Sequence, residues 1–243
     1  MPRGPLAPLL LLALLFVVDA APARAGVPHD LEDWVLGGCK HLGGHELARR
    51  ENEVALLDRA TRPIDVQHVD LEIVFPDTSD VLEGRMQARV VLLEPATFVD
   101  FDLESETTTS LGLRVGGAWV DGLEATFAHF EDTLRVDLPA PAAAGDTTTV
   151  TVEYGGRPIP GGFPGYGLRL TNYLDADFQN DPSRRVIQTL SQPVGARLWW
   201  PCHDHPGDAA TVRLTVTTPP GFQLAAPGRR ESLITLRGGA LRQ

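Results

Sequence analysis

The chain has 243 residues, 43% of them hydrophobic, with 32 acidic against 21 basic side chains and a formal charge of −11. That length supports one domain with a substantial core, or one domain and a short arm. The acidic balance repels phosphate backbones and argues against nucleic-acid binding.

The first predicted element is a leader rather than part of a fold. Arg3 gives a positive start, Leu9 to Val18 is an apolar run, and Ala23-Arg24-Ala25 is a small-x-small cleavage site. Together these read as a secretory signal peptide over residues 1–25. The apolar run is shorter than the roughly 20 residues a membrane helix needs, and no later stretch is longer, so no membrane span is expected. No cysteine follows the cut, which argues against a lipid anchor. The sequence therefore predicts an exported chain, periplasmic or extracellular, starting near Gly26. Losing Arg3, Arg24 and Asp19 with the leader leaves 31 acidic against 19 basic residues.

Residues 26–62 read as an N-terminal arm with one helix. His45 to Ala60 is rich in helix formers and lacks Gly and Pro. Leu47, Val54 and Leu57 recur at helical spacing, and Pro63 marks the end.

From Val66 the period switches to two. Val69, Leu71, Ile73 and Phe75 alternate with polar residues, as do Met86, Ala88, Val90 and Leu92. Val99, Phe101 and Leu103 alternate with Asp100 and Asp102. Leu111, Leu113 and Val115 follow, then Leu134, Val136 and Leu138, then Val150, Val152 and Tyr154, and last Val212, Leu214 and Val216. Alternation puts the apolar set on a buried face and the intervening set in water. Short strands with breaks at Pro76 to Asp80, Gly116-Gly117 and Gly155-Gly156 predict an all-β, antiparallel sandwich or barrel. Arg157 to Arg185 reads as a long ordered loop, because its Pro-Gly-rich stretch from Pro158 to Gly167 cannot form a central strand.

The most specific segment is Gln192-Pro193-Val194-Gly195-Ala196-Arg197-Leu198-Trp199-Trp200-Pro201-Cys202-His203-Asp204-His205-Pro206, continued by Gly207 to Pro219. It resembles the aminopeptidase N family of zinc metallopeptidases, at the signature that closes their N-terminal domain. The resemblance covers roughly Asp65 to Phe222. It implies a saddle-like β-sandwich over residues 63–243 that packs on a separate catalytic domain and forms one wall of an active site. It implies that Gln192, five residues before Arg197, binds the free α-amino group of a peptide N-terminus. An ammonium offers three donors and an amide oxygen accepts. Arg197, Trp199, Trp200 and Asp204 are the supporting scaffold, Asp204 by bonding backbone groups in the turn before Pro206. The family's zinc ligands, H-E-x-x-H with a downstream Glu, and its G-x-M-E-N loop are not found in these 243 residues. No catalytic residue and no metal ligand is therefore assigned to this chain. The zinc belongs to the full-length family, and the chain alone is expected to be inactive. The Arg- and Gly-rich end from Gly228 to Gln243 departs from the family and suggests a truncated C-terminus.

His203, Asp204, His205 and Asp208 are metal-ligand types, but the two His flank a bend and no further ligand has a diagnostic spacing. His45-Glu46 opens like a zincin motif, yet Arg49 stands where the second His is needed. Cys39 and Cys202 would be permitted a disulfide by export; the resemblance implies two thiols that pack rather than bond. The competing function is a non-catalytic β-sandwich binding module, using exposed aromatics such as Trp119, Phe163, Tyr166 and Tyr173.

Overall fold

The computed structural model describes residues 14–19, 62–76, 81–159, 167–174, 180–191 and 194–243. The expected arm helix lies outside these residues, as do Cys39, Phe163 and Tyr166. The chain forms β1 (Leu14–Asp19), β2 (Ile64–Val74), β3 (Leu82–Leu92), β4 (Ala96–Asp102), β5 (Gly112–Val120), β6 (Leu123–Glu124) and β7 (Phe127–Phe130). It continues with β8 (Thr133–Ala142), β9 (Thr147–Arg157), β10 (Gly167–Leu174), β11 (Asn180–Leu190), β12 (Thr211–Thr218), β13 (Phe222–Ala225), β14 (Ile234–Thr235) and β15 (Leu241–Arg242). The only regular helical element among the described residues is a 3-10 turn at Ala196–Leu198.

Three sheets result. The largest has the order β14-β15-β12-β2-β3-β9-β5-β6, a second β4-β8-β7, and a third β10-β11-β1-β13. One apolar core joins them: Val69, Leu71, Met86 and Val152 from the first, Phe101, Leu134 and Val136 from the second, Leu168, Ile187 and Phe222 from the third. The period-two runs thus form strands whose apolar residues face one shared interior, as alternation requires. Val69, Leu71, Ile73, Val99, Phe101, Leu103 and Val216 are all buried.

The chain is all-β as expected, and several details go beyond the alternation pattern. The sheets are not purely antiparallel: β12 runs parallel to β2, pairing Thr211 with His68 through Thr217 with Val74. Alternation reports a strand's faces and is blind to its partner's direction. Val212 is 55% exposed rather than buried. The start of β12 pairs with β2 alone, since β15 reaches only Thr217 and Thr218. The loop expected over Arg157 to Arg185 contains β10 and much of β11, which pair with each other. Leu168 and Leu170, just past the Pro-Gly cluster, alternate with polar residues as a strand requires. Leu14–Asp19, inside the predicted leader, is a strand between β11 and β13. An apolar β-branched run suits a central strand as well as a leader. The Gly228 to Gln243 tail folds back as β14 and β15, with Gln243 and Val216 exchanging backbone hydrogen bonds of 3.0 and 2.7 Å.

Two glycines show why the sheet tolerates its bulky residues. The Tyr154 ring lies over Gly84, its register partner, where a Cβ would sit 2.3 Å from Cζ. Gly112 has φ +110°, and a Cβ there would meet the Ser105 carbonyl oxygen at 2.2 Å. Such a conformation strongly favours glycine.

Candidate functional site

The chain from Val194 to Asp208 folds back onto the end of β4. Asp102 and Cys202 form an isolated antiparallel bridge, with Asp102 N–H donating to the Cys202 carbonyl at 2.7 Å and the reverse bond at 3.0 Å. This bridge places the tryptophan-rich segment against the three-stranded sheet.

Carboxylates hold the segment in shape. Asp204 is 4% exposed, and its two oxygens accept the backbone N–H groups of Gly195, at 2.9 and 3.2 Å, and Ala196, at 3.2 Å. It thereby satisfies donors that open the 3-10 turn, the role of an N-terminal cap supplied from nine residues downstream. The Asp204 N–H in turn donates to Asp102 Oδ2 at 2.9 Å. Asp204 thus bonds backbone groups of the turn at 195–196.

Arg197 leaves the last residues of that turn toward Glu104, with Nε donating to Oε2 at 3.3 Å, and its Nη1 lies 3.9 Å from Asp204. The Glu104 N–H donates to the Arg197 carbonyl at 3.0 Å. Arg62 pairs with Asp102 at 2.5 Å. The cluster therefore sets three carboxylates, on Asp102, Glu104 and Asp204, against the guanidinium groups of Arg62 and Arg197. Asp102 is 2% exposed, although alternation along β4 assigns it to solvent. The fold-back segment covers it. Asp102, Glu104 and Arg62 were missed because their significance depends on a segment a hundred residues later.

Trp199 is 7% exposed, and its indole N–H donates to Ser191 Oγ at 3.0 Å. Trp200 is half-buried, its ring tilted 57° to that of Trp199 with centroids 6.0 Å apart. Beside it a cavity of about 200 Å³ is lined by Met86, Phe101, Trp200, Pro201, Cys202 and Val212, among others. Trp199 belongs to the core and Trp200 to its margin, so both support the segment's path.

His203 and Asp208 pin the far end. His203 Nδ1 is 2.7 Å from Asp208 Oδ2, and both Asp208 oxygens accept the Val66 N–H, at 3.2 and 3.3 Å. Val66 sits at the bulge in the β2–β3 ladder. These contacts tie the far end of the segment to the start of β2.

Gln192, the residue expected to bind substrate, lies outside the described residues. Trp119 rests against Gly117, where a Cβ would lie 2.6 Å from the ring. A larger trough of about 540 Å³ lies along Glu72, Glu83, Arg85, Arg114 and Glu153. Its charges answer one another, Arg85 to Glu153, Arg114 to Glu106 and Arg242 to Glu72.

No family model and no curated protein matches the sequence. Solved structures do. The chain is similar to the M1 zinc metallopeptidase from Deinococcus radiodurans, at 31% identity and TM-score 0.61, over 74% of this chain and 38% of that one. A point mutant from the same organism bound to a Tyr-Ser-Ala substrate aligns at 30% identity and TM-score 0.60, with the same coverage. The fold is that of the N-terminal region of M1 zinc metallopeptidases. A two-domain M1 zinc metallopeptidase mutant bound to L-tryptophan agrees, at 31% identity and TM-score 0.59, over 75% of this chain and 39% of that one. The chain thus spans less than two fifths of the M1 proteins it matches.

The described residues do not fit the zinc after which those M1 metallopeptidases are named. Among the described residues no group of three or more His, Cys, Asp or Glu is arranged to hold a metal ion. His203 and Asp208 are committed to each other and to Val66. No step through zinc is derived for this chain.

Proposed function

We propose that this chain is the substrate-anchoring N-terminal domain of an exported zinc aminopeptidase, an enzyme that removes residues from the N-terminus of peptides. Gln192 is the anchoring residue, and a separate catalytic domain supplies zinc and activates water. The observation that carries this reading is the pinned segment immediately after Gln192. Asp204, Asp102, Glu104 and Arg197 hold its backbone from both ends, as a residue that must meet a substrate to within an ångström requires. The similar M1 structure bound to Tyr-Ser-Ala supports a peptide as ligand. Export rests on the leader pattern of residues 1–25.

The test is a chimera in which this chain's domain replaces the matching region of the Deinococcus radiodurans M1 enzyme. It is expected to release p-nitroaniline from aminoacyl-p-nitroanilides. Gln192→Ala should lower kcat/KM about ten- to a hundredfold, the loss of one hydrogen bond to a charged group. Gln192→Glu should tighten binding of free-amine peptides, and N-acetylated peptides should not distinguish the variants. An unchanged kcat/KM for Gln192→Ala would reduce Gln192 to scaffold and favour the non-catalytic binding module.

A further inference from the structure

We propose that the gap between β11 and β13 is a binding slot for an extended apolar strand, filled in this chain by its own residues 14–19. The slot is independent of the aminopeptidase activity, and its emptying by cleavage rests on the exported reading proposed above. β1 is antiparallel to both neighbours. Leu14 to Val18 pair with Leu190 to Val186, and Phe16 to Asp19 pair with Ala225 to Phe222. β13 has no other neighbour in its sheet.

Each wall of the slot carries a residue of the common core. Ile187 of β11 is fully buried, Phe222 of β13 is 2% exposed, and both belong to the common core. Adjacent strands lie about 4.8 Å apart, so β11 and β13 stand roughly 9.5 Å apart and removing β1 opens a gap one strand wide. Both edges would then present unpaired N–H and C=O groups, which template pairing with another chain.

The occupant's chemistry is legible. Leu14-Leu15-Phe16-Val17-Val18-Asp19 contains no Pro or Gly, so every residue can donate to a ladder. It is apolar, with β-branched and aromatic residues suited to a strand flanked on both sides. The same residues form the apolar centre of the predicted leader. Cleavage after Ala25 would therefore empty the slot and leave the processed chain able to take up an extended apolar segment of about six residues, recognised through its backbone.

The test uses the intact 243-residue chain, with residues 1–25 verified by mass. Val17→Pro removes a ladder donor in the middle of β1. By hydrogen exchange, amides at 186–190 and 222–225 should exchange at least tenfold faster in the variant. A synthetic peptide of residues 11–21, carrying added lysines for solubility, should restore their protection at micromolar concentration, and should leave the wild-type chain unchanged. Equal exchange in both proteins, or no rescue by the peptide, overturns the proposal.

Cross-linking keeps the test decisive if that variant folds poorly. In a Cys39→Ser background, Phe16→Cys with Gln188→Cys and Val17→Cys with Ile187→Cys are consecutive in-register pairs. Such pairs alternate between close and wider Cα spacing, both within disulfide reach. They should oxidise, whereas Phe16→Cys with Leu170→Cys, one strand further away, should not. Failure of both in-register pairs, or equal yield in the control, overturns the slot.

Discussion

The Tyr154 hydroxyl is buried and has no hydrogen-bond partner among the described residues. Burial first, and the nearby Cys202 second, push its pKa well above the usual tyrosine value. The folded state therefore holds this proton after the unfolded chain has released it. The contribution is constant below about pH 10 and is lost as pH rises above that, by about 1.4 kcal/mol per unit until the folded group also titrates. Tyr154→Phe is expected to raise stability by about 1 kcal/mol at neutral pH, because it removes an unsatisfied buried group. It should also flatten the alkaline loss of stability, as read by urea melts at pH 8 and pH 11. Equal slopes for the two proteins would contradict this account. Asp204 is the opposite case. Asp204→Ala orphans the N–H groups of Gly195 and Ala196 and removes a carboxylate that faces Arg197. About 3 kcal/mol of stability should go with it, measured by denaturant unfolding, with tryptophan fluorescence changing because Trp199 and Trp200 follow directly.

At the scale of elements, the strands with clean alternation were legible because one face of each meets the shared core. Val69 to Phe75, Met86 to Leu92 and Val150 to Tyr154 are cases where pattern and burial coincide. What could not be read was whatever depends on a distant partner. Asp102 looks solvent-facing until Cys202 pairs with it, and Val212 looks buried until β15 is seen to stop at Thr217. The anchoring segment was recognisable by residue type, yet two of the carboxylates that shape it, Asp102 and Glu104, lie about a hundred residues upstream. The tie from Asp208 to Val66 gives a prediction at this scale. Asp208→Ala should loosen the start of β12 and the bulge of β2 together, with a stability loss of about 1.5–3 kcal/mol for bonds to a charged acceptor. Hydrogen exchange should locate the change at residues 64–68 and 203–213. Faster exchange confined to one of those two segments would argue against a coupled tie.

For the whole molecule, two expectations follow from the same surface and composition. Purified alone, the chain should release no p-nitroaniline from aminoacyl-p-nitroanilides, with or without added zinc. No ligand set among its described residues could bind the ion or activate water in the family's way. Chelator-sensitive turnover by the isolated chain would overturn that. Leu233, Ile234 and Leu236 near the C-terminus and Phe127 and Phe130 on β7 are exposed, so partial self-association is expected despite the charge of −11. Sedimentation velocity showing a single monomeric species across a hundredfold concentration range would count against it.

The parallel pairing of β2 with β12 also sets a clock on synthesis. His68 and Thr211 are 143 residues apart. At about 5–20 residues per second, a ribosome takes roughly 7 to 30 s to deliver the second partner after the first. β3 can close one side of β2 almost at once, but the other side must wait exposed through that interval. Asp65, Asp70 and Glu72 lie along β2, and such charges are the usual protection of an open strand against neighbouring nascent chains. Neutralising them should leave the finished fold nearly as stable while lowering the soluble yield from the cell.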